Sequence, residues 1–440
     1  MAAQLAKTYQ RKTDKQHVLD NPDSYTGSIA EVTTETYLLN PDKTSIVQKE
    51  VAIIPALYKL FDEAVVNCRD HVIRMQTSTD ATDAQVSKIE IDISEDGVIT
   101  LLNDGSGIDV VKHPEYGIWI PELVFGHLRT STNYDKDKKR IVGGKNGFGF
   151  KLVLIWSTWG RVETVDAKRG FKYVQEYRDN LDVRETPTIT RTRVKSYTMV
   201  SFKPDYARLG ISGLSDDIRA VLYKRVYDIA AITHKGIKVK LNGELLPVKT
   251  FPQYVEMYPH HVSGEKHAYE STGPRWEYVV GLAPNDEFAH VSFVNGIYTS
   301  RGGRHVDYII NQVLRKLTAL IKKKKKIDVK QNTIKEQLML WLRCDIDNPA
   351  FESQTKDYMN TPVNQFGSTC VVSDRFVEKI SKMGVVEAAC ALTEVKDTKA
   401  AKKTDGAKTK NIRGIPKLVD ANWAGTSKAH ECTLMLCEGD

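Results

Sequence analysis

Gly143-Gly144-Lys145-Asn146-Gly147-Phe148-Gly149, followed by Phe150 and Lys151, is the stretch on which the reading of this chain turns. Glycines remove side chains that would block an anion, and backbone amides at a helix start point toward one, so the segment predicts a phosphate cradle. It lacks the strand-to-helix register and distant acid of a dinucleotide site and the GK[ST] of a P-loop. Its meaning therefore depends on what flanks it.

Upstream, Leu57, Leu60, Phe61, Ala64, Val65, Cys68 and Val72 recur at three and four, which predicts an amphipathic helix from Pro55 to Ile73. Glu63 and Asn67 are one turn apart and share a face of it, flanking the apolar stripe. A carboxylate there can take a proton from water, and an amide oxygen one turn on can ligate Mg²⁺. The same pair also reads as a solvated helix face. Residues 88 to 102 alternate polar and apolar around Glu95-Asp96-Gly97, a β-hairpin pattern that delivers the chain to Asp104-Gly105-Ser106-Gly107. Asp104 could accept from an exocyclic base amine, and the alternative is a plain hairpin turn. Residues 129 to 147 are polar and glycine-rich, long enough for a lid, and Lys151 to Trp156 resumes as helix.

At 440 residues the chain should hold two or three units. With 41% apolar and 27% charged residues it has a globular composition, which excludes a largely disordered chain. The net charge of +7 is too small to imply nucleic acid unless the basic residues cluster. They do cluster: Lys322, Lys323, Lys324, Lys325 and Lys326 are contiguous, and Lys396 to Lys417 carries eight basic residues against Asp397 and Asp405. Scattered cysteines without CxxC pairs suit a reducing compartment. No apolar h-region opens the chain and no run approaches the ~18 residues of a membrane span, so a soluble, non-secreted protein is expected.

The first 30 residues, with a turn at Asn21-Pro22-Asp23, read as an arm and not as a packed element. Residues 160 to 204 and 235 to 250 look strand-rich, with a helix near 215 to 233. A second unit is expected after Asn242-Gly243, with strands Trp276 to Leu282 and His290 to Val294 and a helix from Val306 to Lys323 running into the lysines. Strand Leu338 to Asp345 leads into a loop, Asn348 to Gly367. By composition Lys396 to Gly425 is a linker, and Thr433 to Cys437 reads as a new buried strand ending at Glu438, where a third domain would start.

These segments resemble the type IIA DNA topoisomerases, specifically the eukaryotic type, over essentially the whole length. The resemblance runs through Asn21 to Ser28 (NPDSYTGS), Phe61 to Asn67 (FDEAVVN), Asn103 to Ile108 (NDGSGI), Thr130 to Asp135 (TSTNYD) and Gly143 to Lys151. It continues in Thr299 to Tyr308 (TSRGGRHVDY), Ser353 to Lys356 (SQTK), Phe366 to Cys370 (FGSTC), Ile415 to Leu418 (IPKL) and Glu431 to Asp440 (ECTLMLCEGD). The early start resembles compact viral members. The sequence departs from the family at Phe150, usually a small residue, at Asn21, usually Arg or Lys, and at Cys68-Arg69, usually a small pair.

The resemblance implies an α+β fold: a strap over residues 1–30, a GHKL (Bergerat) ATPase α/β sandwich over 31–243, and a ribosomal-protein-like βαβ transducer over 244–405. Residues 406–440 would be a linker and the first TOPRIM strand. It further implies that Glu63 is the general base, Asn67 the Mg²⁺ ligand and Asp104 the adenine reader. Ser131, Thr132 and Asn133 would touch ribose and phosphate, and Gly144, Lys145, Asn146, Gly147, Phe148, Gly149, Phe150 and Lys151 would wrap the triphosphate of ATP. Gln354, Thr355 and Lys356 would reach the nucleotide from the transducer, Lys356 stabilising charge on the γ-phosphate. Tyr9 would contact a partner's nucleotide in a homodimer closed by ATP. Lysines 322 to 326 would face double-stranded DNA without reading its sequence, or serve only solubility. Glu438 would be the first Mg²⁺ ligand of an incomplete TOPRIM site, so ATP hydrolysis without DNA cleavage is expected. The location implied is the nucleus for a cellular protein, and the host cell or virion for a viral one. The rivals are another GHKL protein, which would lack the SQTK segment, and a non-catalytic nucleic-acid clamp.

Overall fold

The computed structural model describes residues 8, 9, 11–130, 139–144, 147–258, 267–404, 421 and 423–435, of which 395–404 are described as backbone alone. Thr13 and Gln16 form a reciprocal capping box that starts α1, Asp14–Asp20. Val18 of this helix is buried in the main core, so the segment read as an unpacked arm is a packed helix in its described part. The T-x-x-Q signature of the box was present in the sequence. A hairpin of β1 (Val32–Leu39) and β2 (Ile46–Ile53) follows.

Helix α2, Pro55–Thr77, begins with Pro at its first position, where the missing N–H costs nothing. Its apolar stripe packs on a nine-stranded sheet of β3 (Lys88–Ile93), β4 (Ile99–Asp104), β5 (Ser157–Asp166), β6 (Phe171–Arg178), β7 (Val183–Arg184), β8 (Thr188–Arg191), β9 (Tyr197–Pro204), β10 (Lys238–Leu241) and β11 (Glu244–Leu245). The order is β11-β10-β3-β4-β9-β5-β6-β7, with β8 also on β6, and only β10 and β3 run parallel. Helix α3, Gly149–Ile155, and helix α4, Asp216–Ile232, lie beside α2.

A second, five-stranded sheet has the order β12-β13-β16-β14-β15, formed by Ala268–Thr272, Trp276–Leu282, Ala289–Val294, Ile297–Tyr298 and Leu338–Cys344 as β16. Helix α5, Arg304–Lys325, buries Val306, Ile309, Ile310, Val313, Leu314, Leu317 and Ile321, a three-and-four spacing that covers one face of this sheet. The other face meets the first unit: Val279, Phe293, Met339 and Trp341 share a core with Phe251, Tyr254 and Tyr258. Truncating the fully buried Trp341 to alanine would cost about 3–5 kcal/mol. Apolar packing therefore holds the two sheets together, and the chain that links them is part of the cement.

Two tail readings are corrected. Val385–Thr404 is helix α6, which takes in the start of the stretch read as a linker. Its Ala, Lys and Glu content favours helix, a preference that a reading by charge alone overlooks. Thr433 to Met435 is not strand, and Leu434 and Met435 are 74% and 80% exposed. No described strand lies beside them to accept their backbone bonds, and a lone strand has nothing to stabilise it.

Candidate active site

A cavity of about 200 Å³ opens between α2, β4, the glycine segment and the loop after β16, and Glu63, Asn67, Asn103, Gly144, Gly147, Gly149, Phe150, Lys151, Gln354 and Lys356 all line it. Its centre is Glu63. The carboxylate is buried, and its Oε1 accepts from Lys356 Nζ at 2.8 Å and lies 2.9 Å from Lys59 Nζ. Burial would push this carboxyl up, but Lys356 and then Lys59 more than offset that and hold it at about 2. Lys59 also pairs with Asp62 at 3.1 Å, and Asp62 accepts from Arg225 Nε at 2.7 Å, so the buried charges behind the cavity are paired in sequence. Lys356 has φ of 64°, a left-handed backbone rare for a side-chain-bearing residue, and such strain persists only where surrounding contacts impose it.

The glycine segment is tied to α2 by Asp70, whose two carboxylate oxygens accept from the amides of Gly143 and Gly144 at 2.8 Å each. A Cβ on Gly149 would stand 2.9 Å from Glu63 Oε2, so glycine there keeps the carboxylate open to the cavity. Lys151 Nζ donates to the carbonyls of Thr130 and Gly147, and burial lowers it to about 8. Burial likewise takes His71, which lines the same cavity, down to about 4, so it is neutral at pH 7.

The alternation of β4 separates Asn103 from Asp104. Along β4, Ile99, Leu101 and Asn103 are buried and Thr100, Leu102 and Asp104 are not. Neighbours on a strand face opposite ways, so Asn103 lines the cavity and Asp104 turns away. The Asp104 carboxylate instead accepts from the amides of Ser87 at 2.7 Å and Lys88 at 2.9 Å and from the Ser87 hydroxyl.

A family model described as DNA gyrase B matches residues 250–410. DNA topoisomerase 2 of Candida glabrata is 39% identical to this chain, over 99% of it and 31% of the relative. DNA topoisomerase 2 of Acanthamoeba polyphaga mimivirus is also 39% identical, over 99% of this chain and 34% of the relative. The crystal structure of the ATPase region of Saccharomyces cerevisiae topoisomerase II superimposes with a TM-score of 0.82 at 36% identity, covering 89% of this chain and 100% of that one. This chain belongs to the type II DNA topoisomerase family. It spans about a third of the length of the curated topoisomerase 2 relatives it matches.

Phe148 and Thr355 do not line the Glu63 cavity. Phe148 packs edge-on against Tyr25, and Thr355 lines a separate cavity with Asp357, because alternate residues of the loop face opposite sides. Tyr9 is exposed and touches neither cavity. Lys322 to Lys325 are the last turn of α5 and Lys326 its left-handed cap, so the run is helical and not a loop. The negative end of the helix dipole favours cations there. All five are exposed, and Lys322 pairs with Asp328 at 2.9 Å. Ser131, Thr132, Asn133, Lys145, Asn146 and Glu438 lie outside the described residues. Reading the sequence missed Lys59, Asp70 and Asn103. Lys59 stands four residues before Glu63, a pairing distance on a helix that could have been noticed; Asp70 gave no local signal.

Proposed function

We propose that this chain is the ATP-operated gate of a type II DNA topoisomerase, binding and hydrolysing ATP in the Glu63 cavity, with two copies closing on nucleotide to capture a DNA duplex for strand passage. The observation that carries the reading is the 2.8 Å contact of Lys356 with Glu63, which joins the loop after β16 to helix α2 across a cavity edged by glycine amides. Without nucleotide, Lys356 neutralises Glu63 and makes it a poor base. A γ-phosphate carries more charge than a carboxylate and draws Lys356 to itself. Glu63 then keeps only Lys59, its basicity rises, and it takes the proton of the water whose oxygen attacks the γ-phosphorus as the bond to ADP breaks.

Among the described residues no group of three or more His, Cys, Asp or Glu is placed to hold a metal. Mg²⁺ fits all the same, because it binds through one or two protein oxygens plus phosphates and water, and Asn67 lines the cavity beside Glu63. When bound, it would supply neutralising charge to the phosphate oxygens. Lys151 would hold the phosphates from the start of α3, and the Asn103 amide, not Asp104, would read the base.

The exposed Tyr9 suits contact with a second copy's nucleotide, and the lysine turn at 322–326 suits the phosphates of duplex DNA. The divisions at residues 30, 243 and 405 fit these roles as strap, nucleotide unit and transducer. Among the described residues no helix is long and apolar enough to cross a membrane. A nuclear site in a cell, or a host-cell or virion site for a viral source, follows from action on DNA.

Glu63→Ala tests the reading. Nucleotide binding should persist while hydrolysis falls by about 10²–10⁴-fold. Turnover equal to the parent's would remove Glu63 as the base and leave the non-catalytic clamp as the reading.

A further inference from the structure

We infer that the cleft where the two sheets meet is a second anion site, separate from the nucleotide cavity and built for a phosphoryl group. Helix α2 divides the two: Glu63 and Asn67 line one side, and Arg69, Val72, Ile73 and Gln76 line the other. The cleft holds about 420 Å³, and its cations are Arg69, Lys235, Lys249, Arg275 and Arg343, against the carboxylates of Glu277 and Asp345.

Arg69 is the core of the argument. It is 2% exposed, and only its Nη2 is engaged, with Asp345 Oδ1 at 2.5 Å. Its Nε and Nη1 have no hydrogen-bond partner among the described residues, and neither has Oγ1 of Thr233, 7% exposed on the same cleft. Buried donors without acceptors are rare because the lost hydration is not recovered. The backbone makes way for this arginine: a Cβ on Gly296 would stand 2.4 Å from Arg69 Cδ.

Two of the cleft's cations, Arg343 and Arg275, are already paired. Glu277 accepts from Arg343 Nε at 2.7 Å, and Asp347 accepts from Arg275 Nη1 at 2.7 Å. Lys235 and Lys249, both exposed at the rim, form no ion pair among the described residues. The unpaired donors of Arg69 on α2 and Thr233 at the end of α4, with the two rim lysines, suit a multiply charged tetrahedral anion better than a single carboxylate. Such a group can come from a free phosphate species or from the backbone of DNA.

The test fills the Glu63 cavity with a non-hydrolysable ATP analogue and then titrates inorganic pyrophosphate by calorimetry. The parent should bind one further pyrophosphate, and Lys235→Ala/Lys249→Ala and, separately, Arg69→Gln should weaken it by about tenfold or more. If Arg69→Gln fails to fold, the exposed lysine pair decides alone. Displacement of the pyrophosphate by a short DNA duplex identifies nucleic acid as the source, and no displacement identifies a free phosphate species. Absence of pyrophosphate binding beyond the nucleotide cavity, or equal binding by the parent and the lysine variant, overturns the proposal.

Discussion

The Glu63 cavity and the lysine turn at 322–326 hold charge under opposite conditions. In the cavity, Glu63, Lys356, Lys59 and Asp62 are all buried, and each charge has a partner within about 3 Å. At the end of α5, five cations stand in solvent and, among the described residues, one ion pair, Lys322 with Asp328, is formed. Buried charge is barely screened, so position decides everything and salt decides little; exposed charge acts over about a Debye length and fades as salt rises. The first region is therefore suited to chemistry and the second to attraction without selectivity.

The most severe way to break this contrast is Lys356→Ala. Hydrolysis should fall by about 10²–10³-fold at every ionic strength, measured as kcat across a salt series. The variant should also change the response to acid. The Glu63 carboxyl is depressed to about 2 from its ordinary 4.5, so the pair stabilises the fold above about 4.5, and that contribution is lost as pH falls through about 2. Without Lys356 the depression shrinks and the acid limb of stability, followed by denaturant midpoint, should be shallower. An unchanged limb would show that Lys59 alone sets the carboxyl.

A gentler test compares neighbours on β4. Asn103→Ala should weaken nucleotide binding by about tenfold, as loss of a buried hydrogen bond does. Asp104→Ala should leave binding alone and lower stability by about 1–3 kcal/mol, since the amides of Ser87 and Lys88 lose their acceptor. Weaker binding in the Asp104 variant alone would reverse the assignment.

Smaller again is a proton linkage at Lys151. Burial holds it at about 8, so near that pH it is half neutral, and bound phosphates would recharge it. Calorimetry in two buffers of different ionisation enthalpy should show uptake of about half a proton at pH 8, with affinity falling as pH rises further. Lys151→Arg should abolish the uptake, because arginine stays charged. The smallest effect is expected at the other pole of the comparison. Replacing Lys322 to Lys326 by alanine should reduce DNA stimulation of hydrolysis several-fold at low salt and hardly at all near 0.5 M, where the Debye length is only about 4 Å. A loss independent of salt would mean a packed contact instead of a field.

Much of the fold was legible because its elements carry their own periods. Helix α2, the 88–104 hairpin and the buried face of α5 all announce themselves by spacing. Helix α1 was missed although its capping box is local, because turn residues at Asn21-Pro22-Asp23 outweighed Thr13 and Gln16. Helix α6 was missed in part because charge was read in place of helix preference.

The site divides along the same line. Sequence alone determined that Glu63 and Asn67 share a helical face and that glycines precede α3, since both follow from the 3.6-residue period and from the missing Cβ. It also determined that Asn103 and Asp104 must face opposite ways. Only the tertiary structure decided which of that pair enters the cavity, because a strand's period does not say which face meets the core. Only it brought Lys356 to Glu63, 293 residues earlier, and left two nitrogens of Arg69 without acceptors among the described residues. Contacts between distant segments depend on how sheets pack, and no local pattern encodes them.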